Sequence, residues 1–369
     1  MKFRCERDVL ADALATVGRA AAQRASSGFP TSAVRMEVQG GRLTLAATDL
    51  ELTIQGAVEV ADAEDGVCLV AARLAADVVR ALGPGAVSVT EAGSEVEVLG
   101  GRSRFALRSL AVADFPTLPP PAVQHQAAVA AADLLEAVGQ VARAASSDVA
   151  RPLFCGVLFA READGWRLVA TDSYRLAWRD LPASLDFPAD AENAIVPARA
   201  LTELGRLRRG GEGATVGLSV SSTDVAFQVD GIHLVSRLID GKFPDYKALV
   251  PSDVATTVVA QKAALVDALR RMGVLIQEPT TPVRFAATGT GIDLSVGPSE
   301  VGCATETVDA QVVGPEVQTA FNASYLIDGI EAVAGDDIAI GVASPTRPAT
   351  LTAPNRSDHC YLLMPVRVA

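Results

Sequence analysis

The chain carries three related copies of one sequence pattern, and this repetition limits the folds that it can adopt. Residues 42–49 (RLTLAATD) return at 167–172 as RLVATD, with their aspartates 123 positions apart. Residues 114–118 (DFPTL) return at 241–246 as GKFPDY, with their phenylalanines 128 positions apart. A third, more divergent copy includes residues 291–296 (GIDLSV). A repeat of this length has the size of a whole domain, so the sequence predicts three similar domains in tandem.

Each copy has the same predicted order of secondary structure. Apolar residues at helical spacing predict two amphipathic helices per copy. They are Leu10, Leu14, Val17 and Ala21, then Leu74, Val78 and Leu82; Leu134, Val138 and Val141, then Leu201, Leu204 and Leu207; Leu265, Leu269 and Met272, then Leu326, Ile330 and Val333. Asn322 stands where a helix N-cap belongs. Short alternating stretches such as residues 87–90 and 215–220 predict antiparallel strands, so the predicted class is α+β, with two helices packed on antiparallel sheet in each copy.

Proline-rich stretches separate the copies. Residues 116–121 (PTLPPP) and 249–253 (LVPSD) are the predicted linkers. The predicted domains are therefore residues 1–121, 122–251 and 252–369. Each is long enough to bury a core of its own.

Composition excludes several functional classes. The net charge is −12, so nucleic acid cannot be held by a uniformly basic surface, although a local basic lining remains compatible. The five cysteines are scattered without CxxC spacing, which predicts neither a zinc site nor a disulfide framework. No phosphate-binding glycine loop and no apolar run of about 20 residues is present. We therefore predict no metal, no cofactor, no membrane partner and a cytoplasmic location.

A catalytic interpretation has one candidate constellation. Asp172, Ser173 and His233 are the residue types of a hydrolase triad. The Thr-Asp pair before Ser173 also occurs at residues 48–49, where neither serine nor histidine follows. A phrase repeated without the catalytic residues favours a repeated structural turn.

Arginine and lysine side chains concentrate on or just after the predicted helices. They are Arg7, Arg19, Arg24, Arg73, Arg80, Arg143, Arg199, Arg206, Arg208, Arg209, Lys262, Arg270 and Arg271. Two interpretations fit this pattern. In the first, the helices carry solvated, ion-paired faces. In the second, helices from all copies line one surface that contacts phosphates without reading bases.

Several strings resemble one family from end to end. They are residues 101–105 (GRSRF), 114–116 (DFP), 169–177 (VATDSYRLA), 240–246 (DGKFPDY), 321–326 (FNASYL) and 361–367 (YLLMPVR). In this order, across three repeats, the chain resembles the bacterial sliding clamps, the beta subunits of DNA polymerase III, of actinobacterial type.

The resemblance implies a non-catalytic DNA polymerase processivity factor. It implies a head-to-tail homodimer that closes into a ring around duplex DNA, with helices lining the hole. The implied DNA-facing residues are Arg7, Arg24, Arg73, Arg80, Arg143, Arg199, Arg206 and Arg270. The implied dimer-interface residues are Arg102, Arg104, Phe105, Leu107, Val274, Leu275, Glu300 and Glu306. Closure protects strand edges that would otherwise promote aggregation.

The resemblance also implies a pocket between the second and third domains. There polymerase subunits, the clamp loader and repair proteins insert a short linear motif. The matching residues are Phe154, Thr171, Ser173, Tyr174, Arg175, Leu176, Pro244, Leu249, Asn322, Tyr325, Thr346, Pro348, Leu362, Leu363, Met364, Pro365, Val366 and Arg367. Two alternatives stay open at this point: a specialised clamp paralogue that binds another partner or tolerates an inhibitor, and the hydrolase considered above.

Overall fold

A computed structural model describes most of the chain. The described residues are 1–22, 30–118, 127–182, 187, 191–207, 213–251, 253–276, 278, 281–299 and 302–367. Contacts divide the chain into two compact units. The first unit comprises Met1–Ala132, Asp186–Ala191 and Glu203–Leu238; the second comprises Asp133–Leu185, Glu192–Thr202 and Ile239–Ala369.

All six predicted helices are present among the described residues. They are α1 (Arg7–Val17), α2 (Ala72–Ala81), α3 (Ala131–Val141), α4 (Ala198–Leu207), α5 (Lys262–Gly273) and α6 (Ala323–Ala332). Their apolar stripes are buried as predicted, for example Leu10 and Leu14 on α1. Leu74 on α2 is an exception, because its side chain is half exposed while the alanines beside it cover the core.

The N-terminus of α6 has the predicted cap. The Asn322 side-chain oxygen accepts a hydrogen bond from the Tyr325 backbone N–H at 3.2 Å, which satisfies one of the free donors at the start of the helix. Further along α6, a Cβ on Gly329 would lie 2.6 Å from the Tyr361 ring. Glycine at this position therefore allows the helix to pack closely on the strand that carries Tyr361.

The strands are short, and the stretches predicted at residues 87–90 and 215–220 alternate between buried and more accessible side chains. In the first repeat they are β1 (Lys2–Glu6), β2 (Ala33–Gln39), β3 (Arg42–Thr48), β4 (Leu52–Glu59), β5 (Ala61–Glu64), β6 (Gly66–Ala71), β7 (Ala86–Ala92), β8 (Glu95–Gly100) and β9 (Ser103–Arg108). In the second they are β10 (Ala127–Ala130), β11 (Gly156–Glu162), β12 (Gly165–Thr171), β13 (Arg175–Asp180), β14 (Ile195–Pro197), β15 (Thr215–Val220), β16 (Asp224–Val229) and β17 (Ile232–Arg237). In the third they are β18 (Thr256–Gln261), β19 (Pro282–Thr288), β20 (Gly291–Ser299), β21 (Gly302–Val308), β22 (Ala310–Val313), β23 (Val317–Asn322), β24 (Asp337–Val342), β25 (Ala349–Thr352) and β26 (His359–Leu363).

Two antiparallel sheets form the first unit. One has the order β5-β1-β7-β8-β9, and the other has the order β10-β15-β16-β17-β4-β3-β2-β6. The second sheet joins the first and second repeats, because β17 pairs with β4 and places Ser236 opposite Leu52. We call this pairing and the turns beside it the first junction.

The second unit repeats this arrangement one copy later. Its sheets have the orders β14-β11-β12-β13-β26-β25-β24-β18-β22 and β21-β20-β19-β23. The second and third repeats are joined where β13 pairs with β26, which places Arg175 opposite Leu363. We call this pairing and its turns the second junction. Among the described residues, no helix is both long and apolar enough to cross a membrane.

A buried histidine beside the second junction should make stability depend on pH. His359 lies opposite Arg179 on the neighbouring strand, and neither of its ring nitrogens has a hydrogen-bond partner among the described residues. Burial, together with the Arg179 charge, lowers the pKa of His359 to about 4. Since the unfolded chain takes up this proton near pH 6.5, stability should fall by about 3 kcal/mol as the pH drops from 6.5 to 4.

Chemical denaturation of the His359→Leu variant measures this contribution. We expect the free energy of unfolding of the variant to change less between pH 7 and pH 4.5 than that of the wild type. An unchanged pH profile would show that other groups dominate acid sensitivity in this range.

Candidate partner, DNA and subunit interfaces

The second junction contains a tight turn built by its own side chains. The Asp172 carboxylate accepts hydrogen bonds from the backbone N–H groups of Tyr174 at 2.8 Å and Arg175 at 3.0 Å. The Thr171 hydroxyl donates to the Arg175 carbonyl at 2.7 Å. Ser173, between them, has a φ of 82°, which is in the left-handed region. The turn therefore presents Ser173 and Tyr174 outward, and both are exposed.

The first junction contains the same turn. The Asp49 carboxylate accepts from the Leu52 N–H at 2.9 Å, and Thr48 accepts from the Leu50 N–H at 3.0 Å. Leu50 has a φ of 81°, matching that of Ser173. The repeated Thr-Asp phrase is thus a structural device of both junctions, as its repetition predicts.

The hydrolase alternative gains no support from this geometry. The Ser173 hydroxyl accepts a hydrogen bond from the Arg151 guanidinium, and Asp172 is engaged by the turn itself and by Arg175. His233 lies on β17, opposite Gln55 of β4.

Arg175 connects the turn of the second junction to its surroundings through several contacts. Its guanidinium pairs with Asp172 at 2.9 Å and with Asp328 of α6, and it lies 4.2 Å from the centre of the Tyr325 ring. It also donates to the Tyr361 hydroxyl at 3.2 Å. Burial raises the pKa of Tyr361, so this hydroxyl stays protonated and donates to the Tyr325 carbonyl at 3.0 Å. One cation flanked by two carboxylates thus ties the turn to the helix and to β26.

The chain after β26 continues across the turn. The Met364 N–H donates to the Tyr174 carbonyl at 2.9 Å, and the Val366 N–H donates to the Ala320 carbonyl at 2.8 Å. Three large apolar side chains of the predicted pocket are exposed: Tyr174 by 60%, Leu249 by 51% and Met364 by 42%. Exposed apolar residues of this size are typical of binding surfaces when they lie together. The backbone bond places Tyr174 and Met364 side by side.

The predicted pocket residues divide into a supporting layer and an accessible layer. Thr171, Leu176, Leu362 and Leu363 are each less than 5% exposed and form the supporting layer. Leu176 and Leu362 pack there with Phe243, and Leu153 covers part of this cluster. The other predicted members are half-buried or exposed and form the accessible layer: Phe154, Ser173, Tyr174, Arg175, Pro244, Leu249, Asn322, Tyr325, Thr346, Pro348, Met364, Pro365, Val366 and Arg367.

Two residues of this region were not predicted from the sequence. Arg151 bonds to Ser173 and lies 4.2 Å from the centre of the Phe154 ring, and Asp328 pairs with Arg175. Asp328 and Arg175 are far apart in sequence, so no local motif indicates their pairing.

The predicted DNA-facing arginines that the structure describes in the first unit lie on helices, and each has an acidic neighbour. Arg7 pairs with Asp8 at 3.1 Å, and Arg206 pairs with Glu203 at 2.7 Å. Arg73 and Arg80 share Asp77, at 3.8 Å and 3.7 Å. The Arg73 side chain is nevertheless 96% exposed.

The corresponding residues of the second unit show a similar balance. Arg143 and Arg270 share Glu331 of α6, at 3.5 Å and 2.7 Å. Arg199 is exposed on α4. Arg24 lies outside the described residues. The ion-paired interpretation is confirmed for Arg73, Arg80, Arg143 and Arg270. Two arginines per carboxylate leave a net positive charge at the Asp77 and Glu331 sites, and contact of these arginines with phosphates remains a prediction.

Four residues of the predicted subunit interface, Arg104, Phe105, Leu107 and Glu306, lie on two edge strands. β9 is an edge of the five-stranded sheet, and β21 is an edge of the four-stranded sheet. Phe105 on β9 is 38% exposed and Val274 after α5 is 83% exposed, whereas Leu107 is only 6% exposed and packs inside its own unit.

Charged and half-buried members complete the predicted interface. Arg104 pairs with Glu97, and Glu306 on β21 pairs with Arg271. Arg102 is exposed and Leu275 is half-buried. Glu300 lies outside the described residues.

Comparison with known proteins decides the family. Family models of the DNA polymerase III beta subunit match the chain three times: the N-terminal domain at residues 1–119, the central domain at 128–245 and the C-terminal domain at 247–367. The chain belongs to the bacterial sliding clamp family. The domain boundaries at residues 121 and 251 remain predictions.

Curated sliding clamps resemble this clamp over its full length. The beta sliding clamp of Streptomyces coelicolor is 33% identical over 378 residues, and that of Caulobacter vibrioides is 30% identical over 377 residues; both comparisons cover 100% of each chain. Among solved structures, a clamp from Bartonella birtlesii bound to griselimycin has a TM-score of 0.91, and the Bacillus subtilis clamp has a TM-score of 0.87. Each is 25% identical to this clamp and is matched over 100% of both chains.

The family establishes the function. This clamp is a non-catalytic processivity factor of DNA polymerase, and it acts as a dimer that encircles DNA and binds the polymerase and other partners. The prediction of fold class is confirmed as well, because three clamp domains of helices on antiparallel sheets account for the chain.

Proposed function

We propose that partner proteins dock a short linear motif at the second junction, in the pocket formed by the accessible layer defined above. The proposal rests on the exposure of Tyr174, Leu249 and Met364, which are two or three residues from the buried cluster members Leu176, Tyr246 and Leu362. Methionine and tyrosine suit such a site, because methionine adapts to different side chains and tyrosine combines apolar area with a polar end.

Charge at the second junction favours ligands with apolar and acidic residues. The two carboxylates nearest the turn, Asp172 and Asp328, are already paired with Arg175. Arg151 and Arg367 add positive charge beside the turn and at the end of the described chain. An acidic motif would therefore meet cations rather than free carboxylates at this site.

For dimer closure, we propose that β9 of one copy pairs with β21 of a second copy. Both are edge strands whose backbone groups can extend the sheet, and their side chains are mostly exposed. Arg102 and Arg104 would then approach Glu306 and Glu300 of the other copy. The exposed side chains of Phe105 and Val274 and the half-buried Leu275 would supply apolar contact, with Leu107 supporting the strand from inside its own unit.

The helix arginines would face the DNA in this arrangement. Because the ring holds DNA by topology, affinity for phosphates can remain low while the clamp slides. The ion pairs with Asp77 and Glu331 reduce the positive charge of the lining without removing it. A polymerase tethered to such a ring rebinds at high local concentration after each release.

Binding of linear duplex DNA should be weak and should fall steeply with salt. Each phosphate contact contributes about −0.9 to the slope of log K against log salt. Replacing Arg73 and Arg80 by alanine should therefore reduce the steepness of that slope by up to about 2. Fluorescence anisotropy of a labelled duplex over a salt series measures it.

Arg42→Ala is the matched control for this experiment, because Arg42 is exposed but lies on a sheet strand rather than on a helix. An unchanged slope in the Arg73/Arg80 variant, or an equal loss in the control, would argue against the assignment of these arginines.

The replicative role is tested by polymerase stimulation. With its clamp loader and primed circular DNA, this clamp should lengthen the products made by the replicative polymerase of the same cell. We also propose that the clamp is located in the cytoplasm. Failure to stimulate that polymerase, with loading onto DNA intact, would favour the specialised paralogue.

A further inference from the structure

The first junction contains a cavity of its own. Its volume is about 280 Å³, close to the lower limit of about 300 Å³ for ligand sites. Leu50 and Leu118 lie on its walls with Pro116, and Val235 is among its buried lining residues. This volume suits one or two side chains rather than a large folded surface.

The backbone around this cavity matches that of the second junction. The Arg237 N–H donates to the Glu51 carbonyl at 3.0 Å, as the Met364 N–H donates to the Tyr174 carbonyl at 2.9 Å. Arg237 and Glu51 therefore occupy the positions that Met364 and Tyr174 hold in the other copy. The repeat has kept the framework of the site and changed the side chains that face a ligand.

Leu50 is an unusual residue for its position. It combines a φ of 81° with 61% exposure. A branched side chain in the left-handed region is strained by about 1 to 2 kcal/mol, and an exposed leucine adds no core packing to compensate. An apolar ligand side chain placed against Val235 would cover the exposed Leu50 side chain.

The charges at this cavity differ from those at the second junction. Glu51 and Asp224 line it together with Arg237, which leaves one excess negative charge. At the second junction, in contrast, the carboxylates are paired with Arg175. The first junction therefore attracts cationic groups and repels the acidic motifs proposed for the second.

We propose that the first junction is a second docking site, which takes a short extended segment of a partner protein in which an apolar side chain lies beside lysine or arginine. The apolar side chain contacts Leu50 and Val235, and the cation contacts Glu51 and Asp224. The two junctions of one clamp then distinguish two classes of partner by charge while using the same backbone framework.

Titration of the whole clamp with two end-capped hexapeptides tests this proposal. The basic peptide has the sequence Lys-Leu-Lys-Leu-Phe-Lys, and the acidic peptide has the sequence Glu-Leu-Glu-Leu-Phe-Glu. Methyl NMR of labelled leucine and valine locates binding, and anisotropy of fluorescein-labelled peptides gives the affinity. We expect the basic peptide to bind saturably, with a Kd of about 0.1 to 1 mM, and to shift the Leu50 and Val235 methyl signals.

Two variants and one control distinguish specific binding at the first junction from non-specific electrostatic attraction of a basic peptide to an acidic protein. Glu51→Lys reverses an exposed charge at the cavity. Leu50→Gly removes the leucine side chain that lines the cavity and also relieves the backbone strain at this position. Each should weaken binding of the basic peptide by about tenfold. Glu59→Lys makes the same charge change at the exposed far end of β4 and should leave the affinity within about twofold.

Four results would overturn the proposal: no saturable binding of the basic peptide, equal binding to the Glu51→Lys variant, methyl shifts away from Leu50 and Val235, or equal binding of the acidic peptide at this cavity. A clamp lacking residues 364–369 should still bind the basic peptide. This last result separates the first junction from the partner pocket proposed at the second.

Discussion

Removal of residues 364–369 should abolish binding of partner peptides while the dimer stays intact. β26 ends at Leu363, so the deletion begins after the last strand and leaves the sheet complete. It removes the exposed Met364 side chain and the backbone hydrogen bonds from Met364 and Val366. We expect the affinity for a partner motif to fall at least about 100-fold, since about 2.7 kcal/mol of contact is lost.

Isothermal titration with a peptide from the polymerase subunit measures this loss, and light scattering measures the oligomeric state. A milder variant, Met364→Ala, keeps the backbone bonds and should weaken binding by about tenfold. Wild-type affinity in the truncated clamp would show that partners do not bind at the second junction. The deletion takes away Met364, one of the three exposed large apolar side chains of the predicted pocket.

Replacing both Val274 and Leu275 by aspartate should convert the dimer into monomers. Val274 is 83% exposed in the single chain, and Leu275 follows it at the C-terminal end of α5. If these residues are covered by the second copy, the double variant places two unpaired charges in an apolar contact. One uncompensated buried charge costs about 3 to 5 kcal/mol, so the dimer dissociation constant should rise by at least about 1000-fold.

Val149→Asp is the matched control for the subunit interface. Val149 is 88% exposed and lies outside the predicted interface, so its replacement should leave the dimer unchanged. Analytical ultracentrifugation over a concentration series distinguishes the two variants. A stable dimer for the Val274/Leu275 variant would place the subunit contact elsewhere.

Periodicity predicts the helices of this fold well, because each helix buries one apolar stripe. The spacing of Leu326, Ile330 and Val333 and the cap at Asn322 define α6 from the sequence alone. Leu74 departs from this rule, because the buried face of α2 is formed by Ala72, Ala75, Ala76, Val78 and Val79, and the Leu74 side chain is half exposed. Apolar identity at helical spacing therefore indicates a helix more reliably than it indicates which residue is buried.

The joining of repeats into shared sheets is not visible in local sequence. The pairings of β4 with β17 and of β13 with β26 connect strands that are distant in the chain, and only the fold brings them together. The same holds for the Arg175 network, in which the acidic partner Asp328 comes from the third repeat. Repetition of the Thr-Asp phrase does predict a common turn, and the turn is found at both junctions.

The proposed functional difference between the two junctions also depends on tertiary structure. Glu51 and Tyr174 become equivalent only when their carbonyls are seen to accept the same hydrogen bond. Aligned phrases in the sequence identify the framework, but strand pairing identifies which side chains face a ligand.

Negative-stain electron microscopy of the purified clamp without DNA tests the central claim most directly. We expect closed dimeric rings with an open centre and an outline of six similar lobes, one for each domain of the two chains. Compact particles without a central opening would contradict it, because a protein that cannot surround DNA cannot tether a polymerase by topology.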